Sequence, residues 1–537
     1  MRFLPRDNKL FSRPASEADG NAAALAVLVT LAAAIRLYAI QHATVINVDG
    51  PLYIQQAKAV ATGDWSGALC SLPFLSATPV LIRLFQTIFD DWLLAGRMVS
   101  LCFGTLALVP LHGLFRQFFG RGESLAAALL MAALPTWVSN SVDVVRDPVC
   151  WFFSLWGFYW LAVGVRRQQR PLLPLACLAF LLAAWARIEA LWYPAALCLL
   201  LPLLLRRHRA ASLLWFSLPL LVGAAALAAA PLLNGPSLLT MSRLGELRQN
   251  LAGGLPQYAA LRADLAALRQ PEQEPGLFFF LAEARNLAWL VGLGTMANRL
   301  CEASTYPFLL LALLGIGPLR RQQEQRLPLI FCLLAMGALG LLYFRVLQTW
   351  IMEYRYLMLA ILPGSLCLCA GLGRVGGWLG RRSGLGQWAA LALLVAPLLV
   401  ISVRRDLKPR GEDDLPLKEI GAFLASHHPQ SDEVRVVTSR HTMRLIRFYA
   451  NQDRPGAPCP ERPEHLYAAV TGDSAATLLR KLREQRIDYL VWEERNRPAG
   501  WPLDLLASDR EGGVRELGRW RNQPTGEMIL YQVTPGQ

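Results

Sequence analysis

Long apolar runs, joined by short polar segments, fill most of the chain, and their lengths predict helices that cross or nearly cross a bilayer. The runs fall at 22–40, 93–115, 124–140, 148–165, 172–185, 190–205, 213–233, 304–319, 327–344, 356–372 and 387–403, giving about eleven transmembrane helices. The first lacks a small-x-small cleavage site before the helix that follows, so it reads as an uncleaved span. A further stretch, 277–293, is nearly as apolar, but Glu283, Arg285 and Asn286 sit within it. It is expected to be an interfacial or partly buried helix.

The arginines between the runs set an orientation. Arg116 and Arg121, Arg166 with Arg167 and Arg170, Arg206 with Arg207 and Arg209, Arg320 with Arg321 and Arg326, and Arg374 with Arg381 and Arg382 all fall on one side, which the positive-inside rule makes the cytoplasm. The expected organisation is a cytoplasmic N-terminal segment 1–21, a membrane domain 22–403 with external loops 41–92 and 234–303, and an extracytoplasmic domain 404–537. Arg404, Arg405 and Lys408 run against this orientation, but large domains cross with little regard for local charge.

The polar stretch after the first run, INVDGPLYIQQAKAVATGDW (46–65), has its own pattern. Pro51 suits a first helical position, and Tyr53, Ala57, Val60 and Ala61 recur at helical spacing. This predicts a short amphipathic helix on the membrane surface with Asp49 at its entrance. Asp49 then has two readings, a site carboxylate or a simple complement to the positive helix end. Farther on, Leu244, Leu247 and Leu251, then Tyr258, Leu261, Leu265 and Leu268, predict two amphipathic helices parted by Gly253 and Gly254. They would bound a cavity or merely connect spans. From about Glu412 the pattern becomes that of a soluble α/β domain. Helices are expected in 417–427, in TMRLIRFYA and in TLLRKLREQR, and strands in VRVVTS, IDYLVWEE, 514–520 and 528–533.

Composition agrees: 54% of the 537 residues are hydrophobic, 17% are charged, and the mean hydropathy is +0.33. The net charge of +14 would suit nucleic acid, but its clustering between spans accounts for it without that partner. Cys102, Cys150, Cys177, Cys198, Cys332, Cys367 and Cys369 lie mostly in apolar runs without ligand spacing and read as packing residues. Cys70, Cys301 and Cys459 would lie outside, and no pairing among them follows from the sequence.

Candidate chemistry sits where charge meets the outer ends of spans, since charges there are costly. Asp143 and Asp147, four residues apart in SVDVVRDP with Arg146 between them, have the spacing to share a divalent cation or orient a partner. The run has no histidine or third acid, and a capping loop is the alternative. Arg187 and Glu189, at a hairpin tip, can pair with each other. Arg355, between Tyr354 and Tyr356, can snorkel to the interface or hold a lipid-linked phosphate bidentately.

In order, VDGPLYIQQAKAVATGDW, the proline-bearing SLPFLSATPVLIRLFQTIFDDWLLAGRMVS, SVDVVRDP, ARIEALWYPAAL and EYRYLMLAILP resemble the membrane glycosyltransferases of the GT-C fold. More narrowly they resemble the bacterial protein-mannosyltransferase-like group, which includes lipid A aminoarabinose transferases and RgtA/B/C/D-like enzymes. The resemblance covers the chain to about Leu372. It implies inverting transfer of a sugar from a polyprenyl-phosphate carrier to a lipid, glycan or protein acceptor of the envelope, at the outer face of a bacterial cytoplasmic membrane. It also implies Asp49 as the catalytic residue. The partner acid usual after that position is replaced here by Gly50. Physically, a carboxylate can take the proton of the attacking hydroxyl, and an arginine or lysine can hold the leaving phosphate without requiring a metal. Arg355, Arg187 and Lys58 are the candidates for phosphate contact, Arg146 with Asp147 for positioning acceptor or metal, and Glu189 and Tyr356 complete the candidate substrate-binding set. The rival reading is a transporter of lipid-linked sugars, which would use the same embedded charges.

Overall fold

The computed structural model describes residues 18–204, 209–229, 244–269, 274–321, 326–429, 432–454, 456, 458–472, 474–505 and 513–534. The segment 1–17, the Arg206–Arg207 pair and the start of the 234–303 loop lie outside the described residues.

Where they fall within the described residues, the eleven expected runs are mainly helical, with breaks at Ala107 and at Ala133–Leu134. Among the described residues, seven helices are long and apolar enough to cross a membrane: Ala22–Gln41, Trp92–Phe118, Asp147–Arg166, Pro275–Ser304, Leu327–Thr349, Tyr354–Ser383 and Gln387–Asp406. An eighth is the pair Arg121–Ala132 and Pro135–Ser141, bent by 57°. Four expected spans form shorter apolar helices: Leu172–Ala186, Ile188–Leu203, Ala210–Ala226 and Tyr306–Leu319. The stretch expected at the interface is instead part of the 30-residue helix Pro275–Ser304. Its exposed Glu283 and Arg285 fall in the N-terminal half, and the helix runs on through mostly apolar residues far enough to span. The helix expected to break at Gly253–Gly254 runs unbroken over Leu244–Ala267. Each glycine costs a helix only about 1 kcal/mol, and this helix packs on Leu327–Thr349.

By contacts, the chain divides into two compact units: Met1–Tyr38, Ser100–Ser141 and Arg146–Leu407, and Ala39–Val99, Val142–Val145 and Lys408–Gln537. In the first, Phe158 packs against Phe180, Tyr193 and Phe331, with ring centroids 5.1, 4.8 and 5.4 Å apart. Such edge-on aromatic contacts stabilise a core beyond area burial alone. The helices Tyr306–Arg321 and Met358–Ser383 approach to backbone contact. A side chain at Gly315 would collide with the Cys367 carbonyl, and one at Gly371 with that of Leu311. Small residues are what allow helices in lipid to pack this closely.

The second unit is built on a four-stranded sheet in the order β1-β2-β4-β3, from β1 (Val436–Val437), β2 (Tyr489–Glu493), β3 (Val514–Asn522) and β4 (Gly526–Val533). β1 runs parallel to β2, and the other pairings are antiparallel. Leu478, Leu482, Leu490, Trp492, Ile529 and Tyr531 fill one side of it.

Residues 39–99 belong to this unit and are sewn to its C-terminal part. The Thr44 N–H donates to the Arg410 carbonyl at 3.0 Å, the Lys418 ammonium to the Thr44 carbonyl at 2.9 Å, and the Ile46 N–H to the Tyr449 hydroxyl at 3.1 Å. A disulfide joins Cys70 to Cys459.

The helix Gly50–Thr62 departs from its expected surface position, because nine of its residues are buried, Gln55 and Gln56 among them. Both glutamines face inward to hold the following loop. Gln55 donates to the Gly67 carbonyl at 2.7 Å, and Gln56 to those of Ala68 and Phe74 at 2.9 and 2.8 Å. An exposed apolar stripe lies farther on, past the short helix Trp65–Ala68. Val80, Leu84 and Ile88 are spaced four apart on Ala77–Phe89, and Ile88 is 71% exposed. A stripe of this kind suits lipid contact.

Candidate functional site

Five of the eight sequence-marked residues meet in the first unit. Asp147 opens the helix Asp147–Arg166 with Pro148 behind it, so its charge complements the positive helix end. Arg187 ends Leu172–Ala186 in extended backbone, which turns its side chain back from the hairpin tip. Glu189 follows in the 3-10 turn Ile188–Leu191. Arg355 sits in another 3-10 turn, Tyr354–Leu357, at the start of Met358–Ser383.

Arg187 bonds Asp147 at 2.5 Å and Glu189 at 3.1 Å, and the Asp147 side chain is 1% exposed. The other oxygen of Asp147 lies 3.8 Å from Arg355, whose Nε meets Glu353 at 2.5 Å. Tyr356 brings three cations to one ring. The guanidinium carbons of Arg187, Arg345 and Arg355 lie 4.5, 4.8 and 5.6 Å from its centroid.

These groups line a cavity of about 390 Å³, mouth included, whose other walls are Cys150, Trp151, Ser154, Ala190, Tyr193, Leu342, Leu359 and Leu362. Tyr193 is pinned by donating to the Leu359 carbonyl at 2.8 Å. Three arginines and two carboxylates line it beside an apolar wall, and Glu353, outside the lining, pairs with Arg355. Arg345 escaped the sequence reading. Arg345 and Arg355, which flank the joint between two runs, were its one visible signal. Arg146 occupies the N-cap position of the Asp147 helix, half-buried, and does not line the cavity.

Asp49 and Lys58 lie in the second unit. Asp49 stands at the N-cap of its helix and makes no side-chain cap hydrogen bond. Its Oδ1 accepts from Arg444 Nη1 at 3.0 Å, and Arg444 also bonds Glu461 at 2.8 Å. Gly50, where an acid is usual in the resembled family, sits in a tight place. A Cβ there would come within 3.2 Å of both Ile46 and Val144. Lys58 donates to the Gln452 carbonyl at 2.7 Å, and burial pulls its ammonium below the usual range against the opposing pull of Asp453 and Asp91. It lines a second cavity with Gln55, Arg447, Asn451 and Cys459.

Asp143 and Asp147 are not a carboxylate pair on one helix. Asp143 accepts from the Asn47 and Val144 N–H groups, both at 2.8 Å, while Asp147 is taken up by arginine. Among the described residues no group of three or more His, Cys, Asp or Glu is placed to hold a metal ion. The donors present do not fit a divalent cation, since Asp147 and Asp49 each already face a guanidinium that would repel one.

The chain has the GT-C fold of membrane glycosyltransferases, and is a multi-pass membrane protein. Residues 76–233 match the family model described as dolichyl-phosphate-mannose-protein mannosyltransferase. The structure is similar to that of the oligosaccharyltransferase AglB of Archaeoglobus fulgidus in complex with an inhibitory peptide and a dolichol-phosphate. There the TM-score is 0.53 at 12% identity, covering 96% of this chain and 74% of that one. The same enzyme tethered to an acceptor peptide also gives 0.53 at 11% identity, over 89% and 69% of the two chains. A third similar structure, ArnT of Cupriavidus metallidurans bound to undecaprenyl phosphate, has a TM-score of 0.44 at 14% identity, covering 97% of this chain and all of that one. No curated protein matches the sequence.

Proposed function

We propose that the protein is an inverting glycosyltransferase that moves a sugar from a polyprenyl-phosphate carrier to an envelope lipid, glycan or protein on the outer side of a bacterial cytoplasmic membrane. The observation that carries this reading is the cavity of the first unit, in which Arg187, Arg345 and Arg355 surround one tyrosine ring beside an apolar wall. A lipid phosphate needs both features, a cationic end for its charge and an apolar flank for its chain.

In this reading Arg355 and Arg345 hold the departing phosphate, and Arg187, already shared by Asp147 and Glu189, fixes the shape of the pocket. As the sugar–phosphate bond breaks, negative charge gathers on the phosphate, and preset guanidinium groups lower the barrier because they need not reorganise. Asp49 takes the proton of the acceptor hydroxyl as that oxygen attacks the sugar. The Cys70–Cys459 bond supports the outer location, since disulfides persist in oxidising compartments.

Binding of undecaprenyl phosphate to the purified protein tests the donor half of the reading. The lipid should raise the thermal midpoint of wild type and raise that of an Arg345→Gln/Arg355→Gln double variant far less, while inorganic phosphate at the same concentration should do little to either. Equal shifts in wild type and double variant would remove the pocket from the account.

A further inference from the structure

Arg444 carries no motif in the sequence, yet in the second unit it joins two carboxylates. Its Nη1 donates to Oδ1 of Asp49 at 3.0 Å, and its Nε and Nη2 donate to Oε2 of Glu461 at 3.1 and 2.8 Å. All three side chains are about a quarter exposed. An ion pair at that exposure adds little to stability, so stability alone does not account for the arrangement.

The geometry around it is over-determined. Arg444 lies in the first turn of the helix Met443–Asn451, and this helix is tied to the Asp49 segment on both sides of the pair. Tyr449, farther along it, accepts from the Ile46 N–H at 3.1 Å, three residues before Asp49. Gln452, just past its end, accepts from Lys58 at 2.7 Å, nine residues after Asp49. Glu461 is tethered as well, because Cys459, two residues before it, is bonded to Cys70. Both ends of the guanidinium thus meet carboxylates whose backbones are fixed, which is the condition under which a long side chain can set another's orientation.

We propose that Arg444 is a positioning residue for Asp49, holding one carboxylate oxygen while Glu461 fixes the guanidinium. This rests on the reading of Asp49 as the base. In the transfer step the acceptor O–H bond breaks, its proton passes to Asp49, the oxygen bonds to the sugar, and the sugar–phosphate bond breaks to release polyprenyl phosphate. Arg444 touches none of the reacting atoms. It keeps Asp49 aimed at the acceptor hydroxyl. Because Glu461 holds Nε and Nη2, only Nη1 of the guanidinium is turned to Asp49, and the direction of that one hydrogen bond is fixed.

The test compares Asp49→Asn, Arg444→Gln, Arg444→Lys and Glu461→Gln at matched protein level in cells, reading the sugar-modified species by mass spectrometry and the thermal midpoint of each purified protein. Arg444→Gln should lower the product signal about ten- to a hundredfold with a midpoint near that of wild type. Arg444→Lys, which keeps the charge but not the fork, should recover a substantial part, a rescue that a merely structural role would not give. Loss of product in Asp49→Asn with wild-type product in Arg444→Gln overturns the positioning role alone, and wild-type product in Asp49→Asn overturns the reading beneath it. If Arg444→Gln fails to fold, the other two variants decide. Wild-type product per folded protein in both Arg444→Lys and Glu461→Gln would again remove Arg444 from the account.

Discussion

The Asp147–Arg187 pair shows what a buried charge demands of its neighbours. Asp147 is 1% exposed, and removing Arg187 would leave it with Arg355 at 3.8 Å as its remaining ion-pair partner. Breaking a buried pair from one side costs about 3–5 kcal/mol, whereas replacing both members by apolar residues of similar volume is often neutral. Arg187→Ala should therefore lower the folded yield and thermal midpoint sharply. Asp147→Leu/Arg187→Met should restore the midpoint without restoring sugar transfer. A double variant as unstable as the single one would show that the site needs charge for folding itself.

His465 makes a second prediction at this scale. Burial first, then Arg447, Arg462 and Arg435, hold its pKa down to about 3, and its Nδ1 accepts from Arg447. The unfolded chain takes up a proton near pH 6.5 that the folded chain refuses. This contribution to stability is therefore complete above pH 6.5 and is lost progressively as pH falls from there towards 3. Between pH 7.5 and pH 5 the midpoint of the full chain should fall, and His465→Gln should narrow that fall. An identical fall in wild type and variant would mean that other groups dominate.

Two kinds of element carry the architecture. In the first unit, the helices Tyr306–Arg321 and Met358–Ser383 depend on Gly315 and Gly371 for their close approach. Gly371→Leu should force them apart and reduce folded yield severely, while Gly340→Leu, at a glycine with nothing within 4 Å of its built Cβ, should be tolerated. In the second, the Cys70–Cys459 bond closes a separation of 389 residues between the Asp49 loop and the C-terminal part. Removing a native disulfide costs typically about 2–4 kcal/mol, so Cys70→Ser and Cys459→Ser should each lower the midpoint, and the double variant should be no worse than either. Additive losses from the two single changes would indicate that each cysteine has separate work to do.

Much of the molecule was legible in the sequence, because lipid forces backbone polar groups into helices and the runs must be long enough to span. The eleven runs, the C-terminal order of helices and strands, and the GT-C resemblance all rest on such local patterns. The joining of Asp147, Arg187, Glu189, Arg355 and Tyr356 was visible only as charge at span ends, since their meeting depends on how the helices pack. Arg345 and Arg444 were missed for the same reason. The burial of the helix Gly50–Thr62, with Gln55 and Gln56 facing inward, was not legible because periodicity shows which residues are polar but not that loop carbonyls wait to receive them. The 30-residue helix Pro275–Ser304 escaped because three polar residues near its start outweighed the apolar length that follows.

At the scale of the whole molecule the central claim is covalent transfer of a sugar that depends on Asp49. Mass spectrometry of envelope lipids, glycans and proteins from cells carrying wild type, a deletion and Asp49→Asn at matched expression tests it directly. One sugar-sized mass increment should disappear in the deletion and fall by about a hundredfold or more in Asp49→Asn, since general bases contribute on that order. Its persistence at wild-type level in Asp49→Asn would contradict Asp49 as the base, and the absence of any covalent difference in the deletion would contradict the transferase reading itself.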